Sequence, residues 1–278
     1  MMKRVFFSII IVCLNPGSKL GETFESVKKQ TFQDYEIIVK DGVSTDGSVE
    51  QLMHKEKELL ESPVAPCLRV AVEKDKGIYD AMNQAVALAE GEYMLFLNCG
   101  DRLYDDKVLK NIACVIKNNP ECGIYYGDTF CDKTGDLVAA PTQITGFTCY
   151  RNIPCHQACF YHRDMFADIK YNLDYRIRAD YDHFLYCFYR NGAKPLHAGI
   201  TVASYEGGGY SESKENKKRD KLEHGIITEE YMTKAELMKY KTAMAVTLAP
   251  VRKVLAETPA LSGAYQGAKR MVYKIFSK

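Results

Sequence analysis

The chain has 278 residues and an even charge balance, 37 Lys and Arg against 36 Asp and Glu, for a formal net charge of +1. That balance excludes a global attraction to nucleic acid or anionic lipid and confines any electrostatic function to local clusters. The length suffices for a full core, organised as one large α/β domain or as two abutting lobes.

The ten cysteines, Cys13, Cys67, Cys99, Cys114, Cys122, Cys131, Cys149, Cys155, Cys159 and Cys187, include no CxxC pair. This is the usage of reduced, mostly buried thiols in a cytosolic protein. Cys155, His156 and Cys159 in CHQAC lack a second matching pair, which argues against a zinc site.

The first apolar run, FFSIIIVCL, follows two cations and imitates a secretory leader. It runs into Asn15, Pro16 and Gly17 instead of a small-residue cleavage site, so it reads as the first, fully buried strand of a parallel sheet. A helical stretch follows from roughly Ser18 to Gln30. YEIIVKD is a second strand, with a helix expected from roughly Thr45 to Leu60. LRVAVEK then precedes IYDAMNQAVALAE, and YMLFLN precedes DDKVLKNIACVIKNN. This alternation predicts βαβ units in a Rossmann-like, mostly parallel sheet flanked by helices.

After Pro120 the rhythm becomes mixed. GIYYGDTFCD and LVAAPTQI read as strands joined by the turn KTGD, and CHQACFYHR as a short strand running into a helix. RADYDHFLYCFYRNG is helical in period and closed by Asn191 and Gly192, and KPLHAGITVASYEGGGYS is a strand leading to a glycine-rich loop. SESKENKKRDKLEHG opens what reads as one long helix to about Tyr240. Residues 245–278 are amphipathic and carry six Lys or Arg against Glu257 alone. No stretch beyond the first apolar run is apolar enough to suggest a bilayer span.

Ligands of open parallel sheets bind outside the carboxyl ends of the strands. The residues there are Asn15, Asp41, Lys74 and Asp75, and Asn98 to Asp101, so acids and amides gather on one edge. No GxGxxG follows the first strand, which disfavours dinucleotide oxidoreduction.

Four ordered motifs, VCLNPG, QTFQDYEIIVKDGVSTDGS, EKDKGIYDAMNQAVALAEGEYMLFLNCGD and CHQACFYHR, together resemble the family 2 glycosyltransferases of GT-A fold, of the bacterial surface-polysaccharide type. The resemblance covers roughly residues 5 to 210. It implies a GT-A domain over residues 1–210, with a nucleotide-sugar-binding half over 1–120 and an acceptor-side half over 121–210. A C-terminal helical extension would occupy 211–278.

The implied activity is inverting transfer from a nucleotide-diphosphate sugar, a UDP-sugar first, to a glycan or lipid-linked acceptor, with Mg²⁺ or Mn²⁺ as cofactor. Asp101 falls where the family places its metal-binding acid. A hard cation bridging diphosphate oxygens needs few protein carboxylates, because phosphates and waters complete its shell. Asn98 and Gly100 stand where the family often has acids, leaving Asn98 to offer a carbonyl oxygen or orient a water.

Asp41 matches the family's nucleobase contact; an Asp-Gly turn, with Ser44 or Thr45 capping the next helix, also accounts for it, and both can hold because a turn can present a carboxylate. Asp75 and Lys76 match base- and ribose-side contacts, and Asn15, Asp80 and Asn83 would line the donor site. Asp180 matches the general base, its ionised form favoured by a helix N-terminus, with Asp182 the rival. His156 and Gln157 fall near the acceptor or its phosphate.

Gly207 to Ser211, with Lys214, Lys217 and Lys218, read as a closing loop or as an ordinary solvated one. The basic tail reads either as a peripheral contact with the inner face of the membrane or as a packed terminal helix. A cytoplasmic enzyme is expected, with no nucleic-acid partner. A nucleotide-binding scaffold without turnover, permitted by the reduced acid motif, is the alternative.

Overall fold

The computed structural model describes residues 5–48, 50, 53, 54, 67–207 and 216–246. β1 (Phe7–Cys13) is buried at every position, as expected of a central strand covered on both faces. It lies between β2 (Tyr35–Asp41) and β4 (Tyr93–Asn98), and β2 in turn pairs with β3 (Cys67–Val72), all in parallel. The helix expected over roughly residues 45–60 falls mostly outside the described residues. α1 (Lys19–Lys28), α2 (Ile78–Val86) and α3 (Val108–Asn118) supply the crossovers that are described.

The second half adds β6 (Ile124–Cys131), β8 (Cys159–His162) and β9 (Pro195–Tyr205), with the two-residue β5 (Arg102–Leu103) and the short β7 (Asp136–Val138). Among the described residues these strands form one sheet in the order β3-β2-β1-β4-β8-β6-β9-β5, with β7 paired to β6. β8 runs antiparallel to both β4 and β6, whereas β9 is parallel to β6. The sheet is therefore parallel on the β1 side and mixed beyond it, as the change of rhythm after Pro120 predicts.

Because successive strand residues face opposite ways, the sheet builds two cores. Ile9, Ile11, Ile37, Val39, Leu95 and Leu97 pack against α1 and α3. Ile10, Val12, Ile38, Met94 and Phe96 face α2 and α5 (Ala179–Tyr189). Ile227 of α6 (Asn216–Tyr231), with Leu237 and Tyr240 of α7 (Lys234–Val246), belongs to that second core, so the described helices after residue 215 pack onto the same body as the sheet.

Three expectations change. CHQACFYHR is a 3-10 turn over His156–Ala158, then β8, then a second 3-10 turn over Arg163–Phe166. LVAAPTQI pairs only through β7, and the short helix α4 (Gly146–Arg151) follows. The long helix expected to Tyr240 is two helices, because Thr233 and Glu236 start a new one: the Thr233 N–H donates to Glu236 Oε2 at 2.9 Å and the Glu236 N–H to Thr233 Oγ1 at 3.3 Å. The basic tail lies outside the described residues, apart from its first two. Among the described residues no helix is long and apolar enough to cross a membrane.

At the amino end of the sheet a buried polar knot fixes the strands. Glu36 accepts from the Ser8 hydroxyl at 2.6 Å and from the N–H groups of Glu90 and Gly91 at 2.7 and 3.1 Å. Gly91 is required there, since a Cβ would sit 2.5 Å from the Ser8 nitrogen. This leaves the opposite, carboxyl edge for chemistry.

Candidate functional site

β4 carries the site because it ends in a tight turn. Gly100 has φ +100°, a conformation glycine alone adopts readily, and its N–H donates to Thr23 of α1 at 2.9 Å. The turn closes with the Asp101 N–H on the Asn98 carbonyl at 3.0 Å and the Asn98 N–H on Asp101 Oδ2 at 3.2 Å. Asp101 is thereby only 8% exposed. Burial raises its pKa, partly offset by the positive character of nearby His156.

The turn over His156–Ala158 brings His156 against this edge. Asn98 Nδ2 lies 3.0 Å from His156 Nε2, and His156 Nδ1 lies 3.4 Å from Asp180 Oδ2. Asp180 opens α5, and its Oδ1 accepts from the Tyr181 N–H and the Tyr79 hydroxyl, both at 2.9 Å. Tyr79 also reaches the Ile177 carbonyl at 2.7 Å. A continuous polar run, Asn98, His156, Asp180, Tyr79, thus joins four separate stretches of chain.

The charges in this run stabilise one another. Burial pulls the His156 pKa down, but the hydrogen bond and charge of Asp180, with the charge of Asp101, carry it above the usual imidazole value. Burial likewise pushes Asp180 up, yet the His156 contact and the Tyr79 and Tyr181 donors bring it below the usual carboxylate value. Asp180 is therefore ionised at neutral pH. Gln157 is buried in the same turn as His156.

Asp182 is placed differently. It faces α6, accepts from the Tyr231 hydroxyl at 3.0 Å, and is pushed by burial up to about 6. It takes no part in the polar run. Of the two acids weighed for one role, only Asp180 reaches His156.

The exits of β1, β2 and β3 gather the remaining polar groups. Asp41 is buried and accepts from the Ser44 N–H and hydroxyl at 2.7 and 2.6 Å, and from the Cys13 thiol at 3.3 Å. Asn15 Oδ1 accepts from the Thr45 N–H at 2.8 Å, tying the two strand exits together. Between them Val43 adopts φ +71°, a strained conformation for a β-branched residue. Asp75 accepts from the Gly77 N–H at 3.0 Å and pairs with the fully buried Lys40 ammonium at 3.2 Å. A Cβ on Gly42 would lie 2.8 Å from Asp75 Oδ2, so glycine there makes room for the acid.

Lys76 is exposed, and its N–H donates to Asp80, which also accepts from Gln84. The Asn83 side chain is engaged with backbone. Its amide donates to the Tyr171 carbonyl at 2.8 Å and accepts from the Tyr171 N–H at 2.9 Å, fastening that segment to α2.

Sequence reasoning missed Tyr79 and Lys40, which sat inside stretches read only as helix and strand. It also missed the ion pair of Lys19 with Glu206, which joins the start of α1 to the end of β9. Lys19 passes the Gly100 turn, since a Cβ on Gly100 would meet its Cδ at 3.4 Å. Of the expected closing loop, Gly207 is described at φ +85° and Lys217 and Lys218 stand in α6, while residues 208–215 lie outside the described residues.

Among the described residues no group of three or more His, Cys, Asp or Glu could hold a metal. A cation that draws most of its ligands from a diphosphate needs less. The buried Asn98 Oδ1 has no hydrogen-bond partner, and it sits in the same turn as the buried Asp101 carboxylate. An orphaned carbonyl oxygen beside a carboxylate is a donor set suited to a hard cation.

The model of the family described as Glycosyl transferase family 2 matches residues 8–169. A PGL/p-HBAD biosynthesis glycosyltransferase of Mycobacterium bovis is 35% identical over 212 residues, covering 76% of this chain and 80% of that protein. Among solved structures, Staphylococcus aureus TarS in complex with UDP-GlcNAc superposes with TM-score 0.62 at 19% identity, covering 80% of this chain and 66% of that one. A mannosyltransferase from Pyrobaculum calidifontis in complex with GDP-Man and Mn²⁺ gives TM-score 0.61 at 17% identity, covering 99% and 86%. At these identities the structural likeness supports the fold.

Proposed function

The chain belongs to the family 2 glycosyltransferases, and from that premise we propose that it transfers a sugar, with inversion, from a UDP-sugar to a hydroxyl of a glycan or lipid-linked acceptor. The observation that carries the reading is the polar run from Asn98 through His156 to Asp180. It joins the strand edge suited to a diphosphate with an acid suited to take a proton.

Asp180 is the general base. It is ionised at neutral pH and braced by His156, Tyr79 and the Tyr181 N–H. In the transfer the acceptor oxygen bonds to the anomeric carbon while its proton passes to Asp180. The bond from that carbon to the diphosphate breaks, and its electron pair leaves with the nucleoside diphosphate. His156, held between Asp180 and Asn98, keeps the base oriented toward the edge where the donor binds. Asp41, Asp75 and Lys76 are proposed to hold the nucleoside, with Asn15 and Asp80 shaping the turns that present them.

Asp101 and Asn98 Oδ1 would hold Mg²⁺ or Mn²⁺. When bound, such an ion supplies positive charge against the departing diphosphate. Burial raises the Asp101 pKa, and a divalent ion bound beside it would favour the ionised carboxylate.

The experiment is turnover of a panel of UDP-, GDP- and dTDP-sugars with and without Mn²⁺, run on the full chain and on Asp180→Asn. Release of UDP that requires the metal, lost in Asp180→Asn while UDP still binds, is the expected result. Wild-type turnover by Asp180→Asn would overturn the assignment of the base.

A further inference from the structure

The Asp180 carboxylate is linked, through Tyr79 and the backbone before α5, to a residue far along the chain, in a stretch that reads in sequence as the opening of a long helix. Glu223 of α6 is 3% exposed, an unusual position for a carboxylate. Its Oε1 accepts from the Arg176 N–H at 3.0 Å, and its Oε2 from the N–H groups of Ile177 and Arg178, both at 2.9 Å. Arg219 Nε donates to Oε1 at 2.8 Å. Burial pushes the Glu223 pKa up, but Arg219 and the three backbone donors hold it below the usual range.

Those three N–H groups immediately precede α5, whose N-cap, Arg178, has no capping bond from its own side chain. A helix start leaves its first N–H groups without intrahelical partners, and an anion placed there both satisfies them and suits the helix dipole. Glu223 supplies such an anion from another helix, taking the N–H of the N-cap Arg178 and the two N–H groups that precede it. Arg178 is then drawn to α6 as well, its guanidinium on both oxygens of Asp220 at 2.7 and 3.1 Å.

The gripped segment leads directly to the base. The Ile177 carbonyl receives the Tyr79 hydroxyl at 2.7 Å, and the same hydroxyl lies 2.9 Å from Asp180 Oδ1. A phenol has one proton, so Tyr79 can donate to the carboxylate when Asp180 is ionised. It can turn that proton to Ile177 when Asp180 has taken one. Both states of the base are satisfied only while the Ile177 carbonyl stays where Glu223 holds it.

We propose that Glu223 is a positioning residue for transfer: by gripping the backbone of residues 176–178 it sets the Ile177 carbonyl and Tyr79, and through them the Asp180 carboxylate. This rests on the reading of Asp180 as the base. It makes α6 part of the catalytic apparatus.

The test uses the full chain, wild type and Glu223→Gln, a variant that keeps the shape but loses the charge and turns an amide donor toward N–H groups. Amide hydrogen exchange of residues 176–178 should quicken by roughly tenfold or more. With the UDP-sugar that the wild type turns over, kcat should fall roughly tenfold while donor KM stays within about twofold, at a temperature well below either unfolding midpoint. Tyr79→Phe, which removes one hydroxyl and keeps the ring, should show the same kcat loss and carries the test should Glu223→Gln fail to fold.

Unchanged exchange at residues 176–178 overturns the proposal, as does an undiminished kcat in Tyr79→Phe or a raised KM with intact kcat. A wild-type chain that releases no UDP from any nucleotide sugar sinks the transferase reading instead, and the exchange experiment still decides whether Glu223 grips the backbone.

Discussion

Asp182→Asn separates the two acids of α5 by their physics. Asp182 is 4% exposed, and burial carries its pKa from the ordinary 3.8 to about 6. At about 1.4 kcal/mol for each pKa unit, that gap corresponds to roughly 3 kcal/mol of penalty on the folded state once the acid is ionised. A raised carboxyl is least costly when protonated. The penalty is therefore absent below about pH 4, grows as pH rises, and is complete above about 6. Asparagine keeps an acceptor for the Tyr231 hydroxyl and carries no charge, so the variant should be more stable than wild type by about 1–3 kcal/mol at pH 8. The advantage should shrink to nothing near pH 4. Urea unfolding at pH 8, 6 and 4 reads this directly, with UDP release measured alongside and expected to persist. A variant that is less stable at pH 8, or whose stability difference from wild type does not vary with pH, would refute the reasoning.

Other outcomes follow from single contacts. Gly91→Ala places a Cβ 2.5 Å from the Ser8 backbone nitrogen, and thermal unfolding should show a loss of roughly 2–3 kcal/mol. Val43→Gly relieves a β-branched residue at φ +71°, so it should gain about 1 kcal/mol after the entropy of glycine is counted; destabilisation would contradict the strain. In His156→Gln, Asp180 loses the partner that keeps its pKa low. The acid limb of the kcat profile should then move to higher pH, the base being lost earlier as pH falls.

The parallel half of the fold is legible in sequence because burial on both faces writes itself as unbroken apolar runs, and β1 and β4 are such runs. The edge residues Asn98 and Asp101 follow from where those runs stop. The mixed half is harder to read, since β8 and β7 are four and three residues long and owe their pairing to distant partners. The break between α6 and α7 was written in Thr233 and Glu236, whose spacing is a helix-start signal. Asn83 shares a helix face with Asp80 and so suggests a donor-site residue, but the pattern on α2 does not announce the Tyr171 backbone it binds. Tyr79 and Glu223 were out of reach for the same reason. Each acts on a partner more than 40 residues away, and a tyrosine in an apolar run or a glutamate in a charge run has no local signature of such work.

The central claim is that the turn ending β4 seats a cation against a nucleoside diphosphate, beside a base held by His156. A crystal of the full chain grown with UDP and MnCl₂ tests it most directly, by the anomalous signal of manganese. The account predicts the ion about 2.2 Å from Asp101, in contact with Asn98 Oδ1 and both phosphates, with Asp180 on the far side of His156. UDP bound with manganese elsewhere, or bound away from the ends of β1, β2 and β4, would contradict it.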